Sequence, residues 1–287
     1  MSSSSMACAG EAAARPAIAL GIPLWSRKLP SLVIAELRMQ WRSPVWAVGL
    51  LAALLVVYTE TGSGLFGWPT INHALNGFQE ACTKVIVIVA FLITLSSVTR
   101  DYYKTRSDIL FSRPFHLGTT LAAKFAAGVT VSLTLVAMLI LTVYGRLLLG
   151  GASTTYETTP FSLAIVFCTI PAILYTCGLA ALLGVVCRRL TVALAIFLAY
   201  FAFAVSSAGH NWDVPVSMAD FTMSLKPERC GITLHEMGGT WADLSFSRYF
   251  SPLSTELITR GVLYTLLSFT LLGAAGIIME TRRRTRS

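Results

Sequence analysis

The chain has 287 residues, of which 55% are hydrophobic and only 13% charged, and its mean hydropathy is +0.68. A water-soluble domain carries charge on roughly a quarter of its positions, so the composition excludes an ordinary soluble globule and makes lipid the solvent for the long apolar runs. The net charge of +8 sits on the flanks of those runs. That placement assigns the charge to anionic headgroups rather than to nucleic acid.

An unpaired backbone N–H or C=O inside a bilayer is so unfavourable that spanning segments are helices or closed barrels. Barrel strands would read as about 10 residues of alternating polarity. The runs here are longer and apolar on both faces. The expected fold is therefore all-α: a polytopic membrane protein with six transmembrane helices over residues 44–279. They fall at about Pro44–Thr59, Ala81–Thr99, Phe125–Gly145, Phe161–Val186, Leu190–Ala208 and Gly261–Met279. Lys84 lies near one end of the second run, where its amine can snorkel to the interface.

Residues 1–28 are rich in Ser and Ala and have no apolar core of signal-peptide length, so a disordered cytoplasmic leader is expected. Residues 29–43 are predicted to form an amphipathic interfacial helix. Ile34, Leu37 and Trp41 recur on one face, while Ser31, Ala35, Arg38 and Arg42 share another. A plain extension of the first span is the simpler alternative. Pro44 opens that span at a position where its missing N–H matters least.

The segment 100–124 reads RDYYKTRSDILFSRPFHLGTTLAAK. Ser107 or Asp108 can cap a short helix that carries Ile109, Leu110 and Phe111, and Pro114 limits it. Arg106 and Arg113 flank this apolar ridge, a shape suited to insertion in a groove on a soluble partner. A membrane-resting anchor is the alternative. Thr119 is expected to cap the helix that enters the third span. The outer loop, 209–260, intersperses Trp212, Trp241, Phe246, Tyr249 and Phe250 with Gly and Pro, and is expected to form an ordered cap over the bundle. A basic tail, 280–287, ends the chain.

Lys and Arg give the orientation. Sixteen of the 22 fall on the side that holds both termini: Arg15, Arg27, Lys28, Arg38 and Arg42, the five in segment 100–124, Arg188 and Arg189, and four in the tail. Both termini are therefore expected in the cytoplasm of a cell whose inner or plasma membrane holds the chain.

No P-loop occurs, so nucleotide is not bound through one. His235 and Glu236 begin like a zinc-binding helix, but Gly239 stands where the second His belongs. His210, Cys230, His235 and Met237 form a sparse set of copper-type ligands, and Cys82 and Cys230 fall on one side, where a disulfide is open to them. No cofactor, metal site or catalytic residue is expected. The span interiors hold no Asp or Glu, which argues against ion-coupled transport. Their polar residues are neutral, and small residues such as Gly178, Ala181, Gly184, Gly273 and Gly276 are expected to allow close helix contact.

The order of parts resembles the permease subunits of ABC-2-type exporters: an amphipathic helix ending in Arg42-Ser43-Pro44, two spans, the RDYYKTRSDILFSRPF loop, and four more spans with a long outer loop before the last. The likeness covers about residues 29–279. It implies that Ser31–Ser43, with Arg38, Trp41 and Arg42, is a connecting helix, and that about Ser107–Phe115 is a coupling helix. It further implies two permeases working with two separate ATP-binding cassette subunits, which would bind the ATP. A metal-handling or metalloprotein-maturation component and an intramembrane enzyme are the other classes. Outer-loop metal binding would mark the first, and polar groups facing one another at mid-depth the second. The topology is tested by cysteine labelling of intact cells: sites near Gly62, Ser153 and Met218 should react from outside, whereas reaction near Lys104 or Arg284 would overturn the orientation.

Overall fold

A computed structural model describes residues 23–60, 81–100, 117–149, 169–208 and 246–284. The described residues are all-helical, in seven α-helices: α1 (Pro23–Trp41), α2 (Pro44–Glu60), α3 (Val87–Thr99), α4 (Leu117–Leu149), α5 (Ile170–Cys187), α6 (Leu190–Ala208) and α7 (Phe246–Arg284). A π-helical turn, Cys82–Ile86, leads into α3. Three helical stretches, Leu117–Gly145, Ile170–Cys187 and Gly261–Arg282, are long and apolar enough to cross a bilayer. The pair α1–α2, bent by 65° at its break, makes a fourth if it is taken as one broken span. This is a membrane protein.

Helix boundaries depart from the expected ones at four places. Residues 23–28 of the expected leader are already helical, with Pro23 at the helix start. Helix α4 resumes at Leu117, so the segment between α3 and α4 is shorter than 100–124. Thr119 lies buried within the first turn of α4 instead of capping it. Helix α7 begins at Phe246, inside the range assigned to the outer loop. In each case the apolar pattern at a span's edge hid helix that continues through polar sequence. The coupling segment 107–115 and the set His210, Cys230, His235 and Met237 lie outside the described residues, whereas Cys82 is a buried free thiol.

Helix α3 is the hub of the bundle. Ten of its thirteen residues are buried, and it packs against α4, α5 and α6, while α5 packs most extensively against α7. In lipid there is no hydrophobic drive between helices, so close approach of backbones and interhelical hydrogen bonds must hold them. A Cβ at Gly128 of α4 would fall on the hydroxyl of Thr94 in α3, and one at Gly184 of α5 would lie 2.8 Å from a Val98 methyl of α3. Ser268 of α7 donates to the Leu174 carbonyl of α5 at 2.6 Å, beside Gly178, whose missing Cβ would meet the Ser268 backbone oxygen at 2.8 Å. Phe91 of α3 stacks on Phe197 of α6 with ring centroids 3.7 Å apart. Ser132, Thr142 and Thr176 donate to carbonyls four residues back, so these hydroxyls are satisfied within their own helices.

Gly178 and Gly184 thus sit at helix crossings as expected, with Ala181 fully buried between them. Gly273 and Gly276 do not: nothing lies within 4 Å of where their side chains would be. Their face of α7, with Leu266, Phe269 and Ile277, is exposed. Replacing Gly178 by Ala should destabilise the protein by about 1–3 kcal/mol, because the colliding atom is backbone. Gly273→Ala should be neutral or slightly stabilising, since it removes a flexible residue from a helix. Thermal unfolding of the two purified variants in detergent distinguishes the sites, and equal losses would overturn the packing assignment.

Candidate functional site

The ion pairs seen among the described residues lie at one end of the bundle, where α3 ends and α4 begins. This end also carries Arg188, Arg189 and Arg282 and is called the basic end here. Helix α1 lies here, packed along α4. Its exposed arc consists of Pro30, Ser31, Ile34, Ala35, Arg38 and Met39, continued by Arg42 just past its end, and its inward arc of Leu29, Leu32, Val33, Glu36, Leu37, Gln40 and Trp41. The expected apolar face is corrected on one residue: Ile34 belongs to the exposed side with the two arginines. The inward arc is polar at its centre because it faces charged protein groups, not lipid alone.

Those groups form a single cluster. One Glu36 carboxylate oxygen, Oε1, lies 3.1 Å from Lys124 Nζ of α4. The other, Oε2, accepts from Ser97 Oγ of α3 at 3.0 Å and from Arg100 Nη2 at 3.3 Å. Lys124 also donates to the Ser97 carbonyl at 2.8 Å and to Ser97 Oγ at 3.3 Å. The Lys124 side chain is 2% exposed, Glu36 11% and Arg100 32%. Glu36 is the one buried carboxylate among the described residues.

Each link has a local cause. The last four carbonyls of a helix have no partner within it, and Ser97 is two residues from the end of α3. The Lys124 ammonium therefore caps α3 from the neighbouring helix, at the negative end of its dipole. A charge that deep needs a counter-charge, and α1 supplies it. Arg282 of α7 likewise donates to the Val185 carbonyl, two residues from the end of α5. There Arg188 takes a left-handed conformation, φ 55°, and ends the helix.

The turn after α1 is closed by its own bonds. Trp46 Nε1 donates to the Trp41 carbonyl at 2.6 Å, and the two indoles meet edge to face, centroids 4.9 Å apart. The Ser43 amide donates to the Gln40 carbonyl at 3.0 Å. Trp41, read from the sequence as an interfacial residue, is thus half-buried and forms the inner corner of the bend, while Arg38 and Arg42 are exposed.

Segment 101–116 separates Arg100 from Leu117, so the cluster grips both of its stems: Ser97 and Arg100 before it, Lys124 after it. The sequence reading assigned Arg106, Asp108, Ile109, Leu110, Phe111 and Arg113 to function; they lie within this segment and outside the described residues. It missed Glu36. The available signal was that Glu36 is the single acid between Glu11 and Glu60, in an otherwise basic flank. Lys124 gave a parallel signal, a lone cation set between apolar and small residues.

Among the described residues no three His, Cys, Asp or Glu side chains gather as a metal site. The arrangement joins three helices. Compared with family models, characterised proteins and solved structures, the chain matches none. Glu36→Ala takes the α1 carboxylate from the buried Lys124 ammonium and should destabilise by about 3–5 kcal/mol, while Arg100→Ala, partly solvated, should shift stability by about 0–1 kcal/mol. Thermal unfolding in nanodiscs measures both, and a smaller effect at Glu36 than at Arg100 would overturn this ranking.

Proposed function

We propose that the chain is the membrane-spanning permease subunit of an ATP-driven exporter of the ABC-2 type, with six spans, both termini cytoplasmic and the basic end facing the cytoplasm. The observation that carries the reading is the placement of α1. An amphipathic helix turns by 65° just before the first span and docks, through Glu36, on both stems of segment 101–116. A permease needs such an arrangement, because force applied to a cytoplasmic loop by a nucleotide-driven partner must reach helices that cross the membrane. Two further features agree with it: small-residue helix crossings at Gly128, Gly178 and Gly184, and a chain without a P-loop.

In this reading Ile109, Leu110 and Phe111 insert into a groove on an ATP-binding cassette subunit, with Arg106, Asp108 and Arg113 at the rim. Arg38 and Arg42 rest at the headgroups, and a second permease completes the unit. Bond chemistry belongs to the partner, which binds and hydrolyses ATP; this chain supplies the path for substrate.

Burial of Leu110 or Phe111 in such a groove contributes roughly 1.5–3 kcal/mol each, and the rim arginines add orientation more than affinity. Replacing Ile109, Leu110 and Phe111 together by Ser should leave the protein inserted and folded while the ATP-binding cassette subunit no longer co-purifies. Arg38 and Arg42 replaced together should instead disturb seating at the interface. Undiminished recovery of the ATPase and undiminished transport with the triple variant would remove the basis for the reading.

A further inference from the structure

We propose that Glu36 is a mechanical joint, its carboxylate binding α1 and both stems of segment 101–116 into one body that moves as a unit. The geometry is specific to that task. Two oxygens of one side chain reach three groups on two helices: Lys124 at 3.1 Å, Ser97 at 3.0 Å and Arg100 at 3.3 Å. Ser97 and Arg100 precede the segment and Lys124 follows it, and the Lys124 ammonium also bonds directly to Ser97. The base of the loop is thereby closed, and α1 is fastened to the closure.

Stability alone does not account for the arrangement. A buried ion pair is often no more stabilising than apolar side chains of the same volume, and apolar packing is what the rest of this bundle uses. What an ion cluster adds is a fixed register between the elements it joins.

The inward face of α1 also carries groups that this arrangement leaves unmatched. Gln40, one turn beyond Glu36 and 5% exposed, has neither its amide oxygen nor its nitrogen hydrogen-bonded, and Arg100 Nε is buried without a partner. Unpaired buried polar groups are rare and mark a strained or functional place. Here they lie within the body that the joint holds together.

That the moving body relays a partner's push rests on the permease reading; its rigidity does not. The test uses the full chain in nanodiscs, with nitroxides attached through ketone-bearing amino acids in place of Ala35 on α1 and Thr130 on α4, both exposed. Electron–electron resonance should give one narrow distance in the native background and a broad distribution in Glu36→Gln. The double variant Glu36→Gln with Lys124→Met removes both charges, so its unfolding midpoint should return to within a few degrees of native while the distribution stays broad. Arg100→Met keeps the Glu36–Lys124 pair and the fold, and should broaden the distances only partway. A narrow, native distance in the double variant would overturn the proposal, because apolar contact alone would then hold α1. So would native distances in both Glu36→Gln and Arg100→Met. If no ATP-binding cassette subunit co-purifies with the native chain, the permease reading fails while these distances still decide the joint.

Discussion

Lys124 carries a full charge into the side of a helix bundle that spans lipid, and the arrangement of the basic end follows from the need to satisfy it. Its ammonium takes up the carbonyl that the end of α3 cannot use, at 2.8 Å, and the Glu36 carboxylate, at 3.1 Å. Removing the amine exposes a helix end, and removing the acid takes a carboxylate from a buried cation. Because the acid lies on α1, that helix cannot be a free passenger on the membrane surface. It must return to the same place whenever the cluster is intact, and the bend stapled by Trp41 and Trp46 gives it the angle to do so.

Away from that end the bundle is held by other means. Glycines at positions 128, 178 and 184 let backbones approach, and a hydroxyl bond from Ser268 joins α7 to α5. Such crossings are uncharged. The described residues therefore combine a polar knot at one end with a largely apolar body.

Much of the helical framework was legible because long apolar runs have one solution in lipid. The helices begin or end within a few residues of the runs' edges at α2, α3, α5 and α6. The longer extensions of α4 and α7 were hidden because helix that leaves the bilayer reverts to ordinary polar composition, which looks like loop. The candidate site was harder to read. Periodicity places a lone acid in an amphipathic helix on the solvent side, and only the fold brings Lys124 opposite it. Nor can the sequence separate Gly178, which touches Ser268, from Gly273, which touches nothing, since both are small residues in apolar helices. Proximity across helices decided each of these, and a single sequence carries no signal of it.

Sequence separation also orders the protein's biosynthesis. Glu36 meets Ser97 and Arg100 across 61 and 64 residues, and Lys124 lies further along still. When α1 leaves the ribosome none of the groups that neutralise its acid has been made. Two apolar helices, α2 and α3, must be made, and a third begun, before the pairing is complete. In the interval α1 has only its own surface, including the outer arc of Ile34, Arg38 and Met39, and its final seat is assembled after it.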